Sequence, residues 1–173
     1  MADKPLKSDT ILSQIDAHSL TEKIIEIDEP NVSFFIFQLG DYLFSFCGSQ
    51  AREILPYTAL TWIPGATAHI PGVINLRGDV AAVLDLKQIL GMNEANYETT
   101  GAAFIVMVRS GDGRNGFLVD TIIDVVEVPN SATKQVLSTL DERFKRFASS
   151  QFEYRRNLVT VLDASLLIEK VNS

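Results

Sequence analysis

From residue 33 onward, apolar positions come in short runs separated by polar or glycine-bearing breaks, the spacing of strands rather than helices. Phe34-Phe35-Ile36-Phe37-Gln38-Leu39, then Gly40-Asp41, then Tyr42-Leu43-Phe44-Ser45-Phe46 predicts a β-hairpin. Aromatic and branched residues flank a two-residue turn whose glycine tolerates positive φ. Gly72-Val73-Ile74-Asn75-Leu76-Arg77-Gly78-Asp79 predicts a strand running into a Gly-Asp turn, with residues 80–84 as the return. Asp85 follows as the N-cap of a short helix that Gly91 stops.

The second half repeats the plan. Residues 104–108, a turn over 111–116 and a long strand over 117–128 predict another hairpin. Residues 158–162 predict a strand, and Asp163 caps a helix over 164–171. Val83-Leu84-Asp85 is echoed by Val161-Leu162-Asp163, and Pro56 by Pro129, with a spacing that widens along the chain. A duplicated unit with lengthened loops has this signature. The expected class is mainly all-β, in two similar subdomains with short helices, one of them C-terminal. Strands this short close their edges best as barrels. In residues 131–156, Val136, Leu140, Phe144 and Phe147 carry a helical spacing. Arg143, Lys145, Arg146, Arg155 and Arg156 make this the one basic stretch, either a solvated face balanced by Asp141, Glu142 and Glu153 or a phosphate or acidic-partner site.

Residues 1–30 stand apart. They hold Lys4, Lys7 and Lys23 against seven acids, and Ser19-Leu20-Thr21-Glu22 is a capping-box pattern ahead of Ile24 and Ile27. The segment is either a flexible extension with one or two short helices, or a docking arm.

Composition narrows the chemistry. The chain has 173 residues, 46% hydrophobic, with a formal charge of −7, so bulk charge will not draw it to nucleic acid or an anionic membrane. Cys47 is the single cysteine and His18 and His69 the only histidines, which leaves nothing for a disulfide or a cysteine-built metal cage. No run approaches the roughly 18 apolar residues of a membrane span, and a soluble cytoplasmic protein is expected. Gly-x-Ser-x-Gly, His-Glu-x-x-His and Walker-type patterns are missing, and Asp120 and Asp124, on one side of a strand, are either polar residues at a barrel edge, the commoner case, or a pair that shares a metal. Neither catalysis nor a cofactor is expected. A surface remains: Arg77, at a strand-turn tip, offers a planar set of donors to a partner, or pairs internally with Glu53.

Gly72-Val73-Ile74-Asn75-Leu76-Arg77-Gly78 followed by Val83-Leu84-Asp85-Leu86 resembles the most recognisable stretch of CheW-like proteins, the adaptors between bacterial chemoreceptors and the histidine kinase CheA. Residues 35–41, Arg52-Glu53-Ile54, Ile63-Pro64-Gly65-Ala66, Val119-Asp120 and Asp124-Val125 follow in the expected order, so the resemblance covers about residues 33 to 170. It implies two intertwined SH3-like five-stranded β-barrels over residues 31–173. It also implies a groove for the receptor's cytoplasmic helical tip and barrel surfaces for the kinase regulatory domain, without membrane insertion. The residues carried over as protein-binding are Gly48, Ala51, Glu53, Asn75, Arg77, Gly78, Phe104 and Val125. Alternative expectations are a divergent kinase regulator for surface motility or development, and a small-ligand-binding β-barrel.

Overall fold

Several strands are apolar at consecutive positions because both their faces are covered. The structure, a computed structural model, describes residues 29–92 and 104–173. The N-terminal extension expected over residues 1–30 therefore lies almost wholly outside the described residues.

The elements run in the order β1 (Asn31–Leu39), β2 (Tyr42–Cys47), β3 (Ala51–Pro56), β4 (Gly72–Leu76), β5 (Asp79–Asp85) and α1 (Leu86–Ile89). The second part continues with β6 (Phe104–Ser110), β7 (Gly113–Val119), β8 (Thr121–Pro129), α2 (Glu142–Lys145), β9 (Ala148–Tyr154), β10 (Asn157–Leu162) and α3 (Ala164–Asn172). One five-stranded sheet has the order β8-β1-β2-β10-β9 and the other β3-β6-β7-β5-β4.

Replacing β1 through β5 by β6 through β10, and the reverse, turns one order into the other. The duplication is real but exchanged, since each half of the chain supplies two strands to one barrel and three to the other. The halves interlock through the parallel pairings β2–β10 and β5–β7 and through the antiparallel pairings β1–β8 and β3–β6. Even the isolated bridges correspond, Thr61 with Val73 beside β4 and Lys134 with Gln151 beside β9.

This arrangement makes three cores. Phe34, Ile36, Phe152, Val159 and Val161 fill the first barrel, and Ile74, Val83, Ile105, Met107 and Leu118 fill the second. Between them lies a larger shared core of Phe37, Phe44, Phe46, Val106, Phe117 and Leu162, closed by Leu86 and Leu90 at α1 and Leu167 of α3. Hence Ile105 and Met107 face one core while Val106 and Val108 face another, and β6 has no polar side to betray its direction. The barrel interiors are packed with side chains, which works against the small-ligand alternative.

Local predictions hold where local chemistry decides. Leu39 pairs with Tyr42 across Gly40-Asp41. The Asp85 side chain accepts from the Gln88 amide and that of Asp163 from the Ser165 amide, as N-caps do. Other readings are corrected. Residues 117–128 are not one strand: the chain breaks at Asp120, and β7 and β8 lie in different sheets. The turn over 111–116 shrinks to Gly111-Asp112, because Ser110 already pairs with Gly113. The turn after β4 is Arg77-Gly78, not Gly78-Asp79. The helical spacing in 131–156 yields only α2, and strand pairing with β10 takes over from Ala148.

Candidate functional site

Leu76 pairs with Asp79, so Arg77 and Gly78 form a two-residue turn with φ of 54° and 87°, the left-handed geometry that matches strand twist. Gly78 takes this conformation without strain, and the Asn75 Oδ1 accepts from the Gly78 amide at 3.0 Å to hold the tip. Arg77 Nη2 then reaches across and donates to Glu53 Oε1 of β3 at 2.8 Å. The arginine side chain is 72% exposed and the glutamate 30%. A pair this open contributes at most about 1 kcal/mol to folding.

Around the pair, Arg52, Arg109, Arg114 and Asp112 complete a cleft of about 410 Å³ whose walls include Leu76, Met107 and Val108. Arg114 is matched by Asp79 at 3.5 Å, whereas Arg52 and Arg109 have no ion pair among the described residues. A basic patch therefore sits on an acidic protein. The sequence conceals it because its four arginines come singly from different strands and turns. One signal was available: with Gly111-Asp112 taken as the turn, Arg109 and Arg114 stand opposite each other.

A second depression, about 440 Å³, is lined by Asn31, Val32, Ser33, Phe35, Cys47, Gly48, Ser49 and Val125. Val125 is 50% exposed here, and its neighbour Ile123 is also partly open. The Gly48 amide donates to the Ser33 carbonyl at 2.7 Å, pinning the β2–β3 crossover against β1. Ser49 lines this groove and Arg52 the arginine cleft, so one short crossover joins the two.

The residues carried over by resemblance thus fall into separate places. Glu53, Asn75, Arg77 and Gly78 form one unit, and Gly48 and Val125 share the groove. Ala51 is 2% exposed and belongs to the shared core. Phe104 lies at the far end of β6, opposite Pro56, half-buried against that core.

The repeat extends to the polar groups. Glu53 follows a bulge in β3 and faces Met107, and Asp124 follows the matching bulge in β8 and faces Ile36. Arg155-Arg156 is the counterpart of Arg77-Gly78, with φ of 46° and 66°. In this copy Tyr154 intervenes. Its hydroxyl donates to Asp124 Oδ2 at 2.7 Å, and Arg155 lies over its ring at 5.2 Å.

The Tyr154 hydroxyl, then the Val125 amide, hold the Asp124 carboxyl below the ordinary aspartate range, and the same bond raises the Tyr154 hydroxyl. With its native pKa depressed, Asp124 contributes stability above its unfolded pKa, lost as pH falls through the native one. Tyr154, raised, behaves oppositely: its contribution is present below its unfolded pKa and lost as pH rises through the native value. Tyr154→Phe is expected to return Asp124 toward the ordinary range in a carboxyl NMR titration. An unmoved titration curve would mean that another group holds the proton equilibrium.

Two of the five residues of the basic stretch are balanced by its acids. Arg143 Nε and Nη2 donate to Asp141, the shorter bond being 2.7 Å, and Lys145 meets Glu142 at 2.7 Å. Asp120 and Asp124 have separate partners. The Asp120 Oδ2 accepts from the Gly40 amide at 2.8 Å and pairs with the buried Lys87 at 3.0 Å. No group of three or more His, Cys, Asp or Glu residues suited to a metal occurs among the described residues.

Comparison with known proteins extends this geometry. Residues 33–172 match the family described as CheW-like domain. The chain is 27% identical over 138 residues to the chemotaxis protein CheW of Bacillus subtilis (strain 168), covering 80% of this chain and 87% of that protein. It is 34% identical over 113 residues to a probable chemotaxis protein CheW of Rhizobium etli, covering 64% and 72% respectively. In fold it is similar to the scaffolding protein TtCheW of Thermoanaerobacter tengcongensis, with a TM-score of 0.69 at 21% identity over 80% of this chain and 88% of that one.

Proposed function

Since the chain belongs to the CheW-like domain family, we propose that it is a non-catalytic cytoplasmic adaptor joining a chemoreceptor's signalling tip to the regulatory domain of a CheA-type histidine kinase. The observation that carries this reading is the matched span, residues 33–172, which contains both barrels and all but the first edge of the two connected depressions.

The physical mechanism is helix-in-groove binding. Val125 and Phe35 supply apolar contact in the groove, while the Glu53–Arg77 pair at the neighbouring tip sets the register of a helical partner. An adaptor of this kind lowers the free energy of one ternary geometry. Micromolar contacts, roughly 8 kcal/mol each, suffice when both are engaged together.

The test is a pull-down of the full chain with a kinase regulatory domain and a receptor helical-hairpin fragment. Arg77→Glu reverses charge at an exposed tip and is expected to reduce capture of one partner by about tenfold, an effect of about 1.4 kcal/mol. Its thermal midpoint is expected to stay within a few degrees, as the lost pair is solvent-exposed. Capture of both partners undiminished by Arg77→Glu and by Val125→Asp would refute the reading.

A further inference from the structure

We propose that the arginine cleft is a binding site for a phosphoryl dianion, the group carried by inorganic phosphate and by phosphate monoesters. The site does not depend on the adaptor reading, and either can fail without the other.

The duplication supplies the first observation, because one frame occurs twice in the chain. The bulge that places Arg52 between Ala51 and Glu53 recurs in β8, where Ile123 stands between Ile122 and Asp124. The cross-strand pair Arg109–Arg114 corresponds to Gln38–Leu43, each being the second pair back from a Gly-Asp turn. Three positions that hold arginine in one barrel therefore hold isoleucine, glutamine and leucine in the other. The architecture requires arginine at none of them. Setting Arg109 directly opposite Arg114 even works against folding, since like charges facing across a strand pair repel. A bound anion relieves that repulsion.

The second observation is the charge that remains. Arg77 is engaged by Glu53 at 2.8 Å and Arg114 by Asp79 at 3.5 Å. Arg52 and Arg109, both exposed, have no ion pair among the described residues. Along the cleft itself, four arginines face the carboxylates of Glu53 and Asp112. Two free guanidinium forks suit an anion with about two charges and three acceptor oxygens, which is a phosphoryl group. A carboxylate, with one charge, satisfies a single fork.

The third observation is preorganisation. The Arg109 amide donates to the Gln50 carbonyl at 2.9 Å, tying β6 to the crossover that leads into Arg52. Gln50 is held in turn at the start of α3. Its Nε2 donates to Asp163 Oδ1 at 3.0 Å, and its Oε1 accepts from the Ala164 amide at 3.1 Å. The backbone carrying both free arginines is thus fixed before a ligand arrives, so binding orders side chains alone. The cleft, about 410 Å³, takes a small phosphate ester, with Leu76 on its wall for an apolar substituent.

The test is a titration of the isotope-labelled full chain with inorganic phosphate at about pH 8 and about 25 mM salt, following arginine Nε–Hε signals by NMR. Saturable shifts are expected at Arg52 and Arg109, with a dissociation constant of about 1 mM or below. R52Q/R109Q gives position 109 the residue of its counterpart Gln38, and is expected to weaken binding about tenfold without lowering the thermal midpoint. R155Q/R156Q removes two arginines from the exposed turn of the other barrel and is expected to leave binding unchanged. Binding that is missing, that shifts Arg155 and Arg156 equally, or that survives R52Q/R109Q overturns the site.

Two further probes identify the source of the phosphoryl group: phenyl phosphate, and a phosphoserine peptide of otherwise neutral sequence. Phenyl phosphate binding more tightly than inorganic phosphate assigns a small ester. The peptide binding more tightly than phenyl phosphate assigns a phosphorylated protein segment, and equal affinities assign inorganic phosphate. Each of these results supports the site.

Discussion

Phe46→Ala is expected to cost about 3–5 kcal/mol of folding stability, the range for removing a fully buried aromatic side chain. Phe46 is 0% exposed and its ring centroid lies 5.1 Å from that of Phe37 and 5.2 Å from that of Phe117. Phe117 belongs to the other sheet, so truncation empties the space that holds the barrels together rather than the inside of either one. Urea unfolding measures it: the midpoint falls while the slope stays near that of the parent chain. Phe46→Leu, which keeps much of the volume, is expected to lose far less. A loss below about 1 kcal/mol for the alanine variant would mean that the barrels close over the gap, and the shared core would not be what couples them.

Gly48→Ala is the second large effect, and it separates structure from recognition at a residue carried over as a contact. A Cβ at this position would lie 2.8 Å from the Ser33 Cβ and 3.3 Å from the Ser33 carbonyl oxygen. Both atoms are close to the backbone of β1 and neither can swing away. The crossover must therefore lift, weakening the 2.7 Å hydrogen bond from the Gly48 amide to that same carbonyl. The expected cost is about 1–3 kcal/mol, as for other overpacked sites. Hydrogen exchange is expected to quicken at the Gly48 amide before it does so in β10. The change also shifts one wall of the groove, so partner capture falls together with stability. With Arg77→Glu, by contrast, capture is expected to fall while the fold stays intact. If Gly48→Ala instead lowered capture at unchanged stability, Gly48 would act by direct contact, and the close approach would be incidental.

The two substitutions show why the site was only partly legible. Arg77 declared itself through its turn, because Asn-Leu-Arg-Gly ending an apolar strand signals a tip whatever lies around it. Its partner Glu53 was one of two open readings, and only the register of β3 against β6 and the turn after β4 bring the carboxylate to 2.8 Å. Arg52, Arg109 and Arg114 were unremarkable single residues in strands. Ala51 could not be told from a groove residue, since a small apolar side chain at a strand start fits either place.

By itself the sequence determined whatever depends on near neighbours: the first hairpin, the aspartate caps of α1 and α3, and the existence of two related β units. Those features follow from φ preferences, side-chain-to-amide hydrogen bonds and alternation within a few residues. The tertiary structure alone decided the exchange of strands between barrels, the break at Asp120, the shared core around Phe46 and the gathering of four arginines. A strand with two buried faces reads as a plain apolar run, so nothing along it states which face meets which partner. That choice is made by the burial of surfaces far apart in the chain.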